Sequence, residues 1–294
     1  MNIVKITDGL GNQMFQYAFA RNLQIQCKKR VCIDYRFINH EDLIFQGGQN
    51  TFYKKCDTRK YRLDYFKITL PQAEDSDLLK WKFLKQENHI EKAMYCLAQN
   101  SLWPWQYRNE EKIKAGTLFD MKKYCFPTYF EGYFFDLRYY DDIRHILQRE
   151  FCVKRPIPLS NELKRVLETR ETVGIHVRKG DFTKLSRDIS HTGYYKNAIK
   201  ELQKCVKEPV YLLFSDDIEW VRDNLDIDGE KIYVSSLGLK DYEEFTIMKH
   251  CKHNIIANST FSYWAAYLNN YQDKVVICPK RWRPNTIPQD WISI

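Results

Sequence analysis

The sequence predicts an α/β protein built from two Rossmann-like domains, and three observations predict it. The 294 residues are too many for one small core and suit two compact domains. The chain opens with a strand, a glycine-containing turn, a helix and a second strand, which is the order of a βαβ unit. After Pro158, short apolar strands alternate regularly with helical segments.

The first βαβ unit occupies the N-terminal segment. Residues 3–6 and 31–34 are predicted strands, and apolar residues recur at helical intervals over residues 13–28. Gly9 and Gly11 lie in the intervening loop, which matches the dinucleotide-binding pattern G-x-G-x-x-G only in part, because Met14 occupies the third glycine position. We expect Asn12 and Gln13 to offer polar groups from this loop to a cleft between domains.

The middle of the chain is less regular. Residues 40–130 show no clear alternation, and their topology stays unassigned at this level. A helix is predicted over residues 141–150, and Pro156 and Pro158 mark a domain boundary. We therefore predict an N-terminal domain over residues 1–155 and a C-terminal domain over residues 156–294.

The second domain shows the clearest alternation. Its predicted strands are apolar on both faces, which is typical of a parallel sheet covered by helices on both sides. Ligands of such sheets bind beyond the carboxyl ends of the strands. The predicted strands are residues 173–177, 210–214, 232–234, 254–257 and a last one at 275–278, and the predicted helices are residues 194–205, 217–224, 243–251 and 261–268.

Composition restricts the partners and the compartment. Lys and Arg number 46 against 38 Asp and Glu, and this net charge of +8 favours anionic partners or a mildly basic solvated surface. No zinc-finger or RNA-binding signature is present, so no nucleic-acid partner is expected. The nine cysteines form no CxxC pairs, which indicates reduced thiols. Without a signal-peptide-like or membrane-spanning run, a cytoplasmic protein is expected, and peripheral attachment at the inner face of the membrane stays open.

Two adjacent cations follow the predicted strand at residues 173–177. Arg178 offers a planar fork of donors and Lys179 a point charge, and Gly180 follows them. Such a pair suits a diphosphate, because charge that builds on a leaving diphosphate is stabilised by a fixed guanidinium. A surface Arg–Lys pair beside a strand-end His176 that is satisfied by backbone fits the spacing equally well.

Polar residues also follow two other predicted strands. Ser259 or Thr260 can cap the last predicted helix, leaving backbone N–H groups to face a phosphate, although an ordinary cap without ligand explains them too. Asp216 can accept hydrogen bonds from a ribose or a base, and helix capping by Asp216 or Asp217 is the alternative. The D-x-D spacing typical of metal-bound nucleotide sugars is absent, so no metal is expected.

Taken in order, several segments resemble the motifs of the α-1,2-fucosyltransferase family, and the resemblance covers almost the whole chain. The matching segments are GLGNQMFQYA at 9–18, KYRLDYF at 60–66, FEGYF at 130–134, HVRKGD at 176–181, FSDD at 214–217 and NSTFSYW at 258–264, with Pro279 and Trp282 near the C-terminal end.

The resemblance implies a GT-B-like fold of two Rossmann-like domains with a cleft between them. The C-terminal domain would bind GDP-fucose and the N-terminal domain the acceptor. The implied reaction moves L-fucose from GDP-fucose to the 2-hydroxyl of a galactose-containing acceptor, with inversion and without metal or other cofactor. The acceptor would be a galactose-terminated oligosaccharide or a lipid-linked glycan such as an O-antigen precursor.

The resemblance also implies roles for individual residues. Arg178 would bind the diphosphate and Asn12 would face the cleft, with Gly9, Gly11 and Gln13 in the same loop. The general base stays open among His176, Asp181 and an unassigned acid of the N-terminal domain. The implied donor site comprises Arg178, Lys179, Asp216, Asn258, Ser259, Thr260 and Phe261.

Two residues depart from the family pattern. Lys179 stands where a second Arg is usual, so the charge is kept and the bidentate fork is lost. Phe135 stands where a Gln is common, which puts the identity of the acceptor in question more than that of the donor. A fucosyltransferase of other linkage or acceptor stays open, as does a non-catalytic sugar-binding module suited to the 15% aromatic content. A nucleic-acid binder would rest on net charge alone.

Overall fold

A computed structural model describes residues 1–38, 60–114, 116–124, 126–280, 282–283 and 285–294 of the chain. The chain divides into two compact units, Met1–Phe151 and Cys152–Ile294. In the described residues each unit is built around one parallel sheet with helices. The predicted α/β class with two Rossmann-like domains is therefore confirmed.

The N-terminal unit contains a four-stranded parallel sheet. Its elements are the strands β1 (Asn2–Lys5), β2 (Val31–Asp34), β3 (Gln106–Asn109) and β4 (Thr128–Glu131), and the helices α1 (Leu10–Cys27), α2 (Asp75–Leu78), α3 (His89–Gln99) and α4 (Arg144–Glu150). The strand order is β2-β1-β4-β3. The predicted βαβ unit is confirmed, because β1 and β2 pair in parallel and α1 connects them.

Helix α1 begins at Leu10, earlier than the predicted start at residue 13. Gly9 is its N-cap, and Gly11, Asn12 and Gln13 lie in its first turn. The expectation of a loop is therefore wrong for Gly11 and Asn12, whereas Gln13, the predicted first residue of the helix, is helical. Gly11 is a buried residue of this helix. Glycine is more typical of turns than of helix interiors, so nothing in the sequence indicated that the helix begins before it.

The C-terminal unit contains a six-stranded parallel sheet. Its strands are β5 (Thr172–Val177), β6 (Val210–Ser215), β7 (Lys231–Tyr233), β8 (His253–Ile255), β9 (Val276–Cys278) and β10 (Ile292–Ser293). Its helices are α5 (Asn161–Thr169), α6 (Gly180–Lys184), α7 (Tyr194–Leu202), α8 (Ile218–Asn224), α9 (Asp241–His250) and α10 (Thr260–Tyr267). The strand at 275–278 is not the last one, since β10 pairs with β9.

The strand order of this sheet is β10-β9-β8-β5-β6-β7. From β5 the chain adds β6 and β7 on one side, then returns to place β8, β9 and β10 on the other. The direction of winding thus reverses between β5 and β8. In open α/β sheets the crevice at this reversal, beyond the carboxyl ends of the strands, is where ligands bind. Every residue of β5 and β6 is buried, which makes these strand ends a fixed base for the loops beyond them.

No helix in the described part of the chain is long and apolar enough to cross a lipid bilayer.

Candidate functional site

The segment that follows β5 holds Arg178 at the reversal point of the C-terminal sheet. The Nη1 atom of Arg178 lies 3.1 Å from Oδ2 of Asp216, and the Arg178 side chain is 31% exposed. The other carboxylate oxygen of Asp216 accepts a hydrogen bond of 2.8 Å from the backbone N–H of Lys179. Asp216 comes directly after β6, and Arg178 comes directly after the neighbouring strand β5. The two side chains therefore meet at the same edge of the sheet.

Gly180 is required by this arrangement. A Cβ atom at this position would overlap Oδ2 of Asp216. The carboxylate can therefore reach Arg178 and the Lys179 backbone only because residue 180 lacks a side chain.

Lys179 does not present its charge alongside that of Arg178. Its Nζ atom donates to Oδ2 of Asp188 at 2.7 Å and to Oγ of Ser190 at 3.1 Å, and it lies 3.9 Å from the ring centre of Trp220. Burial raises the pKa of Asp188, but hydrogen bonds from Lys179 and Ser190 outweigh it and leave the pKa below its usual value. In this structure an acid that the motif does not contain pairs with Lys179, and the role of Lys179 as a second donor-binding cation stays a prediction.

His176 is buried at the end of β5. Burial, aided by the charge of Arg178, lowers the pKa of its imidazole to about 3. A group that holds a proton so weakly is a poor general base at neutral pH, so the structure disfavours that role for His176. Its Nδ1 atom has no hydrogen-bond partner among the described residues, and its ring lies 5.3 Å from that of Phe261. The imidazole is therefore neutral at pH 7, and a contact between His176 and a ligand stays a prediction.

Asp181, the other base candidate of this motif, lies in α6. Its side chain is outside the described residues, so its role stays a prediction.

Helix α10 begins beside the segment that follows β5, because β8 and β5 are neighbours. Ser259 stands at its N-cap with extended backbone, yet no side chain caps the helix. The alternative of an ordinary side-chain cap is therefore wrong, and the first-turn N–H groups at Thr260 and Phe261 can face an anion. Asn258 donates from Nδ2 to the carbonyl of Arg187 at 2.9 Å, while its Oδ1 has no partner within the described residues.

The two aspartates after β6 have different roles. Asp217 caps α8 by accepting a hydrogen bond of 3.1 Å from the N–H of Trp220, so the capping alternative is correct for this residue. Asp216 makes the contacts to Arg178 and Lys179 instead. Across the described residues, no group of three or more His, Cys, Asp and Glu side chains is placed to hold a metal ion.

In the N-terminal unit, Gln13 is fully buried. Its amide donates to the carbonyls of Asp8 and Lys60 at 2.7 and 2.9 Å and accepts from the N–H of Arg62 at 2.9 Å. Gln13 thus joins the start of the KYRLDYF segment to α1, and the expectation that it offers its amide to a cleft is wrong. Asn12 is half-buried, and its Oδ1 has no partner in the described part of the chain.

A polar pocket lies at the carboxyl ends of the N-terminal strands, and the sequence did not indicate it. We call it the Glu131 pocket; it is a shallow site with about 40 Å³ of accessible space, and Lys5, Asn109, Glu131 and Tyr133 are among its lining residues. Oε1 of Glu131 lies 3.1 Å from Nζ of Lys5, and Oε2 accepts a 2.5 Å hydrogen bond from Tyr107. The FEGYF segment, which contains Glu131, was the only hint of this pocket in the sequence. Because β3 and β4 were not predicted, Asn109 and Glu131 could not be placed at the ends of strands.

The comparisons with known proteins agree with this architecture. The sequence matches the family described as Glycosyl transferase family 11 over residues 1–289. The chain belongs to glycosyl transferase family 11. It is 28% identical to the O-antigen biosynthesis glycosyltransferase WbnK of Escherichia coli, over 94% of this chain and 93% of that protein.

Two other relatives of this family-11 chain act on named sugars. The alpha-1,2-colitosyltransferase of Escherichia coli is 26% identical over 99% of this chain and 98% of its own length. Galactoside alpha-(1,2)-fucosyltransferase 2 of Oryctolagus cuniculus is 27% identical over 47% of this chain and 42% of that protein.

A solved structure shares the fold of the family-11 chain. It is a mutant of Arabidopsis thaliana FUT1 in complex with GDP, which is 15% identical with a TM-score of 0.53, over 98% of this chain and 72% of that one. The predicted GT-B-like fold and the prediction of a glycosyltransferase are thus confirmed.

Proposed function

We propose that this family-11 chain transfers L-fucose from GDP-fucose to the 2-hydroxyl of a galactose-containing glycan, by inverting displacement without a metal. The supporting observation is the placement of Arg178 at the reversal point of the C-terminal sheet, ion-paired to Asp216 and next to the uncapped start of α10. A cation and helix N–H groups at one sheet edge suit a diphosphate. The C-terminal unit is accordingly the donor-binding unit.

The proposed chemistry is one displacement at the anomeric carbon of fucose. The acceptor oxygen forms its bond from the face opposite GDP while the bond to the diphosphate oxygen breaks. The five donors of the Arg178 guanidinium allow contact with Asp216 and with a phosphate oxygen together. The hydroxyl proton passes to a base, for which an acid of the N-terminal unit is a better candidate than His176, whose pKa is about 3.

The donor sugar has a specific alternative. One relative is named a colitosyltransferase and another a fucosyltransferase, and colitose is fucose that lacks the 3-hydroxyl. We favour fucose because the motif segments along the chain resemble those of α-1,2-fucosyltransferases.

Purified protein is expected to transfer fucose from GDP-fucose to β-galactosides in excess EDTA, because the proposed leaving-group contacts are Arg178 and backbone N–H groups. Transfer is measured by mass spectrometry, and NMR of the product gives the linkage and the anomeric configuration. GDP-colitose is the competing donor, and GDP-mannose is the control that keeps the nucleotide and changes the sugar. Transfer from GDP-colitose alone would reject fucose, and activity lost in EDTA and restored by Mn²⁺ would reject metal independence.

We assign the acceptor to the N-terminal unit, at the Glu131 pocket. A carboxylate held by Lys5 and Tyr107 is a fixed acceptor for sugar hydroxyls. The ring of Tyr133 stacks on that of Phe135 at 5.0 Å, which provides an aromatic surface for the C–H face of a sugar where the family commonly has Gln. A lipid-linked O-antigen precursor as the acceptor would require the protein to work at the inner face of the membrane. The net charge of +8 favours binding to anionic lipids there, and sedimentation of the protein with anionic vesicles tests this.

Glu131→Gln is expected to raise the KM for a β-galactoside acceptor about tenfold, because a charged hydrogen-bond acceptor is lost. Slow hydrolysis of GDP-fucose without acceptor should stay at the wild-type rate. The matched control is Glu87→Gln, an exposed carboxylate of the same unit that pairs only loosely with Lys85 at 3.7 Å. An unchanged acceptor KM would remove the Glu131 pocket from the acceptor site while leaving the donor assignment intact.

A further inference from the structure

Glu244 is a carboxyl group at the ligand-binding edge of the C-terminal sheet that the proposed reaction has not used. It lies in α9, and its Oε2 accepts a hydrogen bond of 2.9 Å from Oγ of Ser235. The same Ser235 oxygen accepts a bond of 3.0 Å from the backbone N–H of Ser215, the last residue of β6. Glu244 is thereby held to the strand end that precedes Asp216. Within the described residues, its Oε1 has no hydrogen-bond partner.

The surroundings of Glu244 disfavour its charge. Burial raises the pKa of this carboxyl to about 7; the hydrogen bond from Ser235 acts in the opposite direction, and the charge of Asp241 adds to the increase. In the described part of the chain, no cation contributes to the pKa of Glu244. A carboxyl kept half-buried with one oxygen unbonded contributes little to stability, and such groups concentrate at functional sites.

The position of Glu244 relative to the reversal point indicates which part of a nucleotide it meets. In doubly wound sheets the diphosphate lies at the point where the strand order reverses. The ribose extends from there toward the second strand of the first half of the sheet, where an acidic residue commonly binds the ribose hydroxyls. Here that half is β5, β6 and β7, with Asp216 at the end of β6. Ser235 follows β7, and α9 is the next helix, so Glu244 lies on the nucleoside side of the diphosphate.

We propose that Glu244 recognises the guanine base of the donor, accepting hydrogen bonds from its N1–H and its 2-amino group; this rests on the proposed use of a GDP-sugar. Guanine presents these two donors side by side on one edge, which matches the two oxygens of a carboxylate. Ser235 donates to one lone pair of Oε2 and so fixes the orientation of the carboxylate, which leaves Oε1 and the second lone pair of Oε2 for the base. Adenine and uracil lack this pair of adjacent donors, so the contact selects GDP over ADP and UDP.

The test compares the binding of GDP and inosine diphosphate, which lacks the 2-amino group, by titration calorimetry. Wild type is expected to prefer GDP. Glu244→Gln should weaken GDP binding about 10- to 100-fold and reduce the preference for GDP over inosine diphosphate to near one, because the amide cannot accept both bonds. Ser235→Ala should give a smaller loss in the same direction. Glu219→Gln, an exposed carboxylate on α8 paired with Arg222 at 3.3 Å, is the matched control and should bind like wild type.

Turnover distinguishes base recognition from chemistry. With GDP-fucose as substrate, Glu244→Gln should raise the KM for the donor and leave kcat within about twofold, as expected for a binding contact far from the reacting bond. If Glu244→Gln and Ser235→Ala both keep the GDP affinity and the preference over inosine diphosphate, the role of Glu244 is rejected and the proposed function stands. If wild type binds no GDP, the proposed function is rejected and this role with it.

Discussion

Arg178→Ala is expected to reduce kcat/KM for GDP-fucose by about a thousandfold or more, with a weaker Kd for GDP. In the proposed reaction the guanidinium stands where charge develops on the departing diphosphate, and loss of such a group removes stabilisation that is larger in the transition state than in the bound substrate. Lys179 cannot compensate, because its ammonium is held by Asp188 and Ser190. Initial rates of transfer and calorimetric GDP titration measure both effects.

Two variants show whether the effect is specific to Arg178. Arg178→Lys keeps the charge and loses the planar fork, so an intermediate loss of about 10- to 100-fold is expected. Arg170→Ala removes an exposed arginine of the same unit that pairs with Glu230 at 3.0 Å, and it should act like wild type. Turnover by Arg178→Ala at the wild-type rate would reject the assignment of the diphosphate to this edge of the sheet.

Gly180→Ala is expected to lower kcat/KM by about 10- to 100-fold although every charged group of the site is still present. The added methyl group would overlap Oδ2 of Asp216 and force the carboxylate away from Arg178, so the guanidinium loses its fixed position. The fold should be kept, because Gly180 is exposed at the start of α6 and alanine is favoured in helices. Initial-rate kinetics measure kcat/KM, and thermal unfolding of the same preparation shows whether the fold is kept.

Asp216→Asn acts on the same contact from the other side. It keeps the shape of the side chain and removes its charge, so we expect a loss similar to that of Gly180→Ala. In the double variant the two losses should not add, because both act through the position of Arg178. Asp223→Asn, an exposed carboxylate on the following helix, is the matched control. Additive losses, or full activity of Gly180→Ala, would contradict a positioning role for Asp216.

The regular part of the C-terminal unit was predictable because its signals are local. Apolar runs such as that of β6, ended by polar and small residues, indicate a strand and its end from neighbouring residues alone. The placement of Arg178 after β5 followed from the same signal. The strands β3, β4 and β10 were not predicted: β3 and β4 contain or adjoin polar residues that hide the apolar alternation, and β10 has only two residues.

The sequence by itself determined the first βαβ unit, the alternation of strands and helices in the C-terminal unit, the family motifs and the presence of a cation beyond β5, because each depends on residues close together along the chain. Only the tertiary structure showed that the two adjacent cations have different partners, since Arg178 pairs with Asp216 and Lys179 pairs with Asp188. Burial lowers the pKa of His176 and so disfavours it as a base, and hydrogen bonds through Ser235 hold Glu244 at the end of β6. Desolvation and ion pairing depend on distances through space, and the order of residues does not contain those distances.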